Sequence, residues 1–236
     1  AVVQLLGNVA DEDANNAVSV AAQNGDAELL KKLIASKAAL EMRNAFGQTP
    51  LMLASRNGHA AAVQALVAAR VNLRARDNEN FTAVAEAAHQ GHLEIVKILL
   101  AAKASQHMET KQGQTPLMLA VDAGHIDVVQ FLVDKDADLH ACEADGLTAL
   151  AIAASTGLTE LVRVLVDANS PLDVRDHAGE TALIAAAAGG YTDVVRILLE
   201  AGADATIANN DGVTALDVAE TGNHSDVVEL LQQGTT

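Results

Sequence analysis

The stretch Thr49–Ala54, TPLMLA, decides the fold, because it returns unchanged at Thr115–Ala120. A threonine followed by Pro or Ala also recurs halfway between these two copies and again beyond them. These threonines stand 33 residues apart, at Thr49, Thr82, Thr115, Thr148, Thr181 and Thr214. A fixed period of this length indicates a repeat protein whose units stack on one another.

Two series of glycines keep the same period, and each has one asparagine in place of a glycine. Because Asn is the residue that best tolerates left-handed backbone after Gly, the exchange predicts that conformation at both positions. The first series is Gly47, Asn80, Gly113, Gly146, Gly179 and Gly212. The second series is Gly25, Gly58, Gly91, Gly124, Gly157, Gly190 and Asn223.

Each unit is predicted to contain a turn and two short helices. The threonine caps the first helix, and Pro50 and Pro116 occupy its first position. A glycine ends that helix, and a second one follows, as in HLEIVKILLAAK from His92, which is apolar around most of its circumference. Since neither helix is long enough to be stable alone in water, neighbouring units must stack to bury a shared core.

A 33-residue unit with a turn, two helices and TPLMLA resembles the ankyrin repeat, over essentially the whole chain. The resemblance implies an all-α fold: an α/α solenoid of L-shaped repeats with short hairpin-like turns and a concave binding face. The expected units are a lead-in helix or partial repeat at 1–10, then repeats at 11–43, 44–76, 77–109, 110–142, 143–175, 176–208 and, as a C-terminal cap, 209–236.

The chain departs from the family pattern at two places in each repeat. The family motif T-P-L-H-x-A has a histidine where this chain has Met52, Ala85, Met118, Ala151, Ile184 and Asp217. We expect apolar packing to replace the histidine in five repeats and Asp217 to mark a terminal cap. The usual glycine after the second helix is replaced in five repeats, where left-handed backbone costs about 1 kcal/mol. That position holds Lys37, Arg70, Lys103, Asp136, Asn169 and Gly202.

Composition and charge narrow the range of possible functions of the chain. The net charge is −16: residues 1–42 hold 3 basic and 6 acidic residues, 43–111 hold 8 and 5, and 112–236 hold 4 and 20. Such an acid surplus disfavours nucleic acid and anionic membrane as partners. With one cysteine there is no internal disulfide, and no apolar run approaches the roughly 20 residues that span a bilayer. We therefore expect a monomer in the cytoplasm.

No motif for catalysis, metal or cofactor binding emerges from the sequence. Cys142 has His140 two residues away but no further group to activate it. The acidic stretch DKDAD from Asp134 lacks the glycine and the distal glutamate of a calcium loop. Four histidines share one slot of the repeat, a full unit apart, so a structural role is expected for His59, His92, His125 and His224.

The resemblance also implies where a partner binds. Family members contact partners through the turn tips, the residue before each turn and the exposed end of the first helix. Carried onto this chain, these positions predict contacts at Arg43, Phe46, Gln48, Arg56, Asn57, Arg76, Glu79, Phe81, His89, Gln90, Lys111, Gln112, Gln114 and Leu147.

Two of the four aromatic residues, Phe46 and Phe81, fall on adjacent turn tips. Exposed aromatic side chains and arginines are favoured anchors of protein interfaces. The alternative is that each phenylalanine folds back against a neighbouring hairpin.

Basic residues in the same segment raise a second question. Arg43, Arg56, Arg76 and Lys111 fall where the net charge is positive and would suit an acidic or extended peptide. The alternative is ion pairing between hairpins, for example of Arg76 with Asp77 or Glu79.

The sequence therefore predicts a non-catalytic protein-binding scaffold, an adaptor or inhibitor-like module. Two alternatives stay open: the regulatory ankyrin region of a larger enzyme or channel, and an engineered binding scaffold. A further domain in the full reading frame would identify the first. The varied loop residues favour a natural or naturally derived sequence over the second.

Overall fold

The structure, a computed structural model, describes residues 11–233, so the lead-in helix or partial repeat expected at 1–10 lies outside the described residues. The described residues form fourteen helices and one isolated β-bridge, which confirms the all-α fold. In chain order the helices are α1 Asp11–Asn24, α2 Ala27–Ala35, α3 Pro50–Arg56, α4 Ala60–Ala68, α5 Ala83–His89, α6 Leu93–Ala101, α7 Pro116–Asp122, α8 Ile126–Val133, α9 Ala149–Ser155, α10 Thr159–Asp167, α11 Ala182–Ala188, α12 Thr192–Glu200, α13 Ala215–Thr221 and α14 Ser225–Gln233.

The chain forms two compact units, the N-terminal unit up to Lys111 and the C-terminal unit from Gln112 onwards. In the N-terminal unit, α1, α3 and α5 pack side by side, and α2, α4 and α6 form a second layer against them. In the C-terminal unit, α7, α9, α11 and α13 form the first layer, and α8, α10, α12 and α14 the second. Each first helix packs on the second helix of its own pair, as expected for an α/α solenoid.

Both helices of each repeat contribute buried apolar residues to the core, and the second helices place one apolar face in it. Each of them contributes a leucine at the same point of the period, and none of these side chains is more than 2% exposed. They are Leu33, Leu66, Leu99, Leu132, Leu165, Leu198 and Leu231. Burying a leucine side chain contributes on the order of 2 kcal/mol, which explains why helices of seven to nine residues are stable here.

The six periodic threonines cap the first helices, as the sequence predicts. In each case the hydroxyl accepts a hydrogen bond from the backbone N–H three residues later, at 3.2 to 3.4 Å. In the last repeat Asp217 strengthens this cap by accepting bonds from the backbone N–H and the hydroxyl of Thr214, at 2.8 and 2.6 Å. These hydrogen bonds lower the pKa of the Asp217 carboxyl. Asp217 is exposed, which fits the predicted polar cap.

The loop after each second helix contains a residue in the left-handed conformation, although only one is glycine. Lys37 has φ 61° and Arg70 has φ 60°, and Lys103, Asp136 and Asn169 are similar. Gly202 takes the same position at φ 93°. The two asparagines that replace glycine in the other series, Asn80 and Asn223, have φ 64° and 59°, as the sequence predicts.

The histidine slot joins consecutive repeats. The Nε2 atoms of His59 and His92 each lie 3.0 Å from a carbonyl oxygen of the preceding repeat, that of Gln23 and Arg56 respectively. His224 makes the matching contact at 3.1 Å in the C-terminal unit. A ring nitrogen facing a carbonyl oxygen donates a hydrogen bond to it. The structural role expected from the sequence is therefore confirmed for these three residues.

Candidate functional site

A groove of about 940 Å³ lies in the N-terminal unit. Turn residues 44–48 and 77–81 line it, together with residues at the C-terminal ends of α1, α3 and α5. Of the fourteen contact residues predicted from the sequence, eight line this groove: Phe46, Gln48, Arg56, Asn57, Glu79, Phe81, His89 and Gln90.

Phe46 is the most exposed large hydrophobic residue among those described, with 70% of its surface accessible. Hydrogen bonds from within its own turn and from the next turn nevertheless fix its backbone. Asn44 Oδ1 accepts hydrogen bonds from the N–H of Phe46 and of Gln48, at 3.0 and 2.9 Å. The carbonyl of Phe46 accepts a hydrogen bond at 3.0 Å from the N–H of Asn78 in the next turn. The structure therefore presents an aromatic side chain to solvent from a fixed backbone.

Phe81 behaves differently from Phe46. Its ring is half-buried and meets the ring of His89 edge-on, with 6.4 Å between centroids and 87° between planes. Its N–H donates to Asp77 Oδ1 at 2.8 Å. Phe46 is therefore displayed, as the first alternative has it, whereas Phe81 folds back onto His89 of its own repeat and not, as the second alternative expects, against a neighbouring hairpin.

The carboxylate of Glu86 lines the groove although its side chain is only 6% exposed. Gln48 Nε2 donates a hydrogen bond to Glu86 Oε1 at 3.1 Å, and Arg56 Nε lies 4.0 Å from Oε2. Burial raises the pKa of the Glu86 carboxyl, while Arg56 and the bond from Gln48 oppose that rise and Asp77 adds to it. An ionisable group has thus been placed where folding disfavours its charged form.

Glu86 was missed by the sequence analysis, which carried over only the contact positions known for the family. A comparison within the period identifies it. Four residues after each capping threonine the other repeats have an apolar residue: Leu53, Leu119, Ile152, Ala185 and Val218. Glu86 alone breaks this pattern, and it does so inside the groove.

The basic residues are mostly engaged within the protein. Arg43 Nη1 donates to the carbonyl of Gly47 at 3.1 Å and to that of Arg76 in the following repeat. Glu79 is paired with Lys111 at 3.4 Å, and its carbonyl accepts the Lys111 N–H at 3.0 Å. Ion pairing between turns therefore occurs, but between Glu79 and Lys111. Arg43, Arg76 and Lys111 do not line the groove.

The comparisons with known proteins agree with this architecture. The family model for ankyrin repeats matches three times, over residues 18–110, 103–176 and 168–235. The chain belongs to the ankyrin repeat family. Among solved structures it is similar to the ankyrin repeat domain of Bcl-3, described as a unique member of the IkappaB protein family. That match has 25% identity and a TM-score of 0.83, and covers 92% of this chain and 97% of the other. No curated protein matches.

Ankyrin repeat domains are in general non-catalytic protein-interaction modules. The described residues contain no group of His, Cys, Asp and Glu that could hold a metal ion. Cys142 is exposed, with its Sγ 3.5 Å from the carbonyl of His140. No helix in the described part of the chain is long and apolar enough to cross a membrane.

Three predicted contact residues of this ankyrin chain lie in the C-terminal unit. Gln112 accepts the Ala144 N–H on its carbonyl at 2.7 Å, and Leu147 accepts the N–H of Glu143 at 3.0 Å. Gln114 Nε2 donates to Glu143 Oε2 at 3.2 Å, and burial raises the pKa of that carboxyl. Gln112 and Gln114 thus join neighbouring repeats, whereas the bond of Leu147 closes its own turn, and a role of all three in binding stays a prediction.

Proposed function

We propose that this ankyrin repeat chain binds a protein partner by receiving an extended segment of it in the groove of the N-terminal unit. The observation that carries the proposal is the exposure of Phe46 on a turn fixed by hydrogen bonds to Asn44 and Asn78. An aromatic side chain presented from rigid backbone loses little conformational entropy on binding, which is why such residues dominate interface energies.

The lining of the groove supports a peptide segment better than a small molecule. Apart from Phe46, Phe81 and Leu53 it is polar: the side chains of Gln23, Asn57 and Gln90 lie along it. An extended segment has unpaired backbone N–H and C=O groups, and amide side chains can both donate to and accept from them. We assign to the partner contact the eight predicted residues that line the groove and, in addition, Glu86.

The finer features of the function remain proposals of the same kind. We propose the seven repeat boundaries given above, an adaptor or inhibitor-like role, a monomeric state and a cytoplasmic location. Arg43, Arg76, Lys111, Gln112, Gln114 and Leu147 would extend the contact surface beyond the groove.

The test uses a phage-displayed library of random linear peptides selected on the full chain. We expect enriched peptides to bind the wild-type chain and to lose about tenfold in affinity for Phe46→Ala, the usual effect of truncating an interface anchor. Met42→Ala is the matched control, because Met42 is 42% exposed in the same unit but outside the groove lining. Thermal unfolding should be unchanged in both variants.

Two results would count against the proposal. One is a selection that enriches no peptide on the wild-type chain. The other is a set of enriched peptides whose affinity is the same for Phe46→Ala as for the wild type.

A further inference from the structure

We infer that the groove selects a cationic side chain, arginine or lysine, which reaches the carboxylate of Glu86. This inference rests on the proposed function and names the chemistry of the segment that binds. The occupant is therefore an extended peptide segment with a basic residue at its centre.

The charge of the groove is the first argument. Its lining contains three carboxylates, Asp77, Glu79 and Glu86, and one guanidinium, that of Arg56. With one exposed cation facing three carboxylates, the potential inside the groove is negative and attracts a positive side chain. This is the reverse of what the chain segment 43–111 indicates by its net charge, because the basic residues that cause its surplus mostly lie outside the groove.

The three carboxylates are not equally available. Asp77 Oδ1 already accepts the N–H groups of Glu79 and Phe81, at 2.9 and 2.8 Å. The Glu79 carboxylate is paired with Lys111. Asp77 adds to the negative charge of the groove, whereas Lys111 largely offsets that of Glu79, and both carboxylates are engaged in holding the turn and its neighbour.

The Glu86 carboxylate can accept further hydrogen bonds. An ionised carboxylate has about four acceptor sites, and within residues 11–233 the Glu86 carboxylate accepts one hydrogen bond, from Gln48 at 3.1 Å. Arg56 Nε, at 4.0 Å from Oε2, is beyond hydrogen-bond distance, and the Arg56 side chain is 53% exposed. A ligand cation can therefore bond to Glu86 without first displacing a short ion pair.

The aromatic residues of the groove suit the same ligand. Phe46 and Phe81 line it together with Glu86. The stems of arginine and lysine are apolar and pack on aromatic rings, and their cationic heads are attracted to ring faces. A basic side chain thus uses both the apolar and the charged part of the lining, which an acidic side chain does not.

The position of Glu86 in the period is an independent argument. The equivalent residues, such as Leu53, Leu119 and Ile152, are apolar and buried. A carboxylate in such a place opposes folding unless it is paired. The structure pairs it only loosely, and a cationic ligand would supply the missing partner.

The test continues from the peptide selection. We expect the enriched sequences to share Arg or Lys at one position, and the best of them to be synthesised with that residue and with Gln in its place. Affinities are measured by fluorescence anisotropy for the wild-type chain, Glu86→Gln, Arg56→Gln and the control Glu94→Gln. Glu94 is exposed on α6 and does not line the groove, so the control makes the same chemical change elsewhere in the same repeat.

Three expected results support the inference. Glu86→Gln weakens the basic peptide by about tenfold or more, as expected on losing a charge-assisted hydrogen bond. The Gln-substituted peptide binds the wild-type chain equally weakly and loses nothing further on Glu86→Gln. Arg56→Gln, which removes the competing cation, tightens the basic peptide by roughly threefold.

The outcomes that overturn the inference are distinct from failure of the proposed function. Enrichment of Asp or Glu, together with weaker binding to Arg56→Gln, would mean that the groove takes an acidic segment. Basic peptides that bind Glu86→Gln as tightly as Glu94→Gln would mean that Glu86 plays no part. In both cases sensitivity to Phe46→Ala would leave the proposed function intact, whereas a failed selection would remove both.

Discussion

The N-terminal and C-terminal units share one repeat but differ in charge and surface. Both have the capping threonines and the buried leucines at steps of 33 residues. Residues 1–111 contain 11 basic and 11 acidic residues, whereas residues 112–236 contain 4 and 20. The comparison teaches that a few positions in each repeat determine the fold, and that the rest of the surface is free to acquire a function in one unit alone.

The acidity of the C-terminal unit is in part structural. Asp176 Oδ1 accepts the N–H of Glu180 at 2.8 Å, and Asp138 Oδ1 accepts that of His140 at 2.9 Å. Asp204 accepts the N–H and the hydroxyl of Thr206, which lowers the pKa of its carboxyl. Carboxylates favour such turns because they satisfy backbone N–H groups. The unit therefore owes part of its acidic surplus to turn chemistry.

The largest effect is expected from removing an equivalent core leucine in each unit. Leu99 and Leu165 occupy the same place in the period and are both fully buried. Leu99→Ala and Leu165→Ala should each lower the free energy of unfolding by about 2 to 5 kcal/mol, measured by chemical denaturation. Only Leu99→Ala should also weaken peptide capture, since every residue that lines the groove lies in the N-terminal unit.

In the same variants, hydrogen exchange measures the stability of each unit separately. Protection should fall mainly in the helices around the substituted leucine, because repeat stability is a sum of local and nearest-neighbour contributions. If Leu165→Ala reduced capture as much as Leu99→Ala, the division of function between the units would be wrong.

A smaller effect is expected at Glu86, with a definite dependence on pH. Burial holds the pKa of its carboxyl above the ordinary value of 4.5, so the folded protein binds this proton more tightly than the unfolded chain does. The contribution of Glu86 to the stability of the N-terminal unit therefore falls as pH rises from 4.5 through the raised pKa. Glu86→Gln should match the wild type near pH 4 and exceed it near pH 7 by on the order of 1 kcal/mol.

Denaturation with urea at the two pH values provides the measurement. The charged and titratable groups around Glu86 are Arg56, Asp77, Glu79 and His89, and all of them remain in the variant. Glu94→Gln makes the same chemical change at an exposed side chain and is the control, so it should lack the gain in stability near pH 7. A Glu86→Gln variant that is less stable than the wild type at neutral pH would show that the carboxylate is well paired.

The sequence predicted the parts of the fold that depend on local backbone chemistry. The threonine caps, the left-handed residues such as Arg70 and Asn80, and the structural histidines follow from residue types in a fixed period. It also located the turn tips that line the groove. The sequence analysis missed Glu86 because this residue is recognised by contrast with the equivalent positions of the other repeats and not by any motif.

Two further features required the structure because they depend on tertiary contacts. Phe46 and Phe81 both lie on turn tips, three residues and one residue before a capping threonine, and the structure shows the first ring displayed and the second half-buried against His89. The sequence predicts that Arg43 is a surface cation, yet its guanidinium donates hydrogen bonds to carbonyl groups of two successive turns. Such contacts depend on how side chains pack within and between repeats, which composition and period leave undetermined.

A rise in salt concentration should have a smaller effect, which differs between the stabilities of the two units. Repulsion among exposed carboxylates is screened as the ionic strength rises from about 0.05 M to about 0.5 M. We expect the stability of residues 112–233 to increase by less than about 1 kcal/mol, and that of residues 11–111, where the charges balance, to change less. Hydrogen exchange at constant pH measures both in one sample, with KCl in place of NaCl as the control. A larger gain in the N-terminal unit would contradict the assignment of the acidic surplus.

An effect of similar size concerns the left-handed position, where the two units have different residues. Arg70, at φ 60°, carries a full side chain in this conformation, whereas Asn169, at φ 61°, has a side chain that tolerates it better. Arg70→Gly should raise the free energy of unfolding by up to about 1 kcal/mol, since relief of the left-handed backbone exceeds the entropic cost of glycine. Asn169→Gly should raise the free energy of unfolding by only a few tenths of that amount.

The converse control is Gly202→Ala. No atom lies within 4 Å of the added Cβ, so a loss of about 1 kcal/mol in the free energy of unfolding would measure the backbone cost alone. Equal gains for Arg70→Gly and Asn169→Gly in chemical denaturation would mean that residue type does not decide stability at this position, and that the units are equivalent there as they are in their caps.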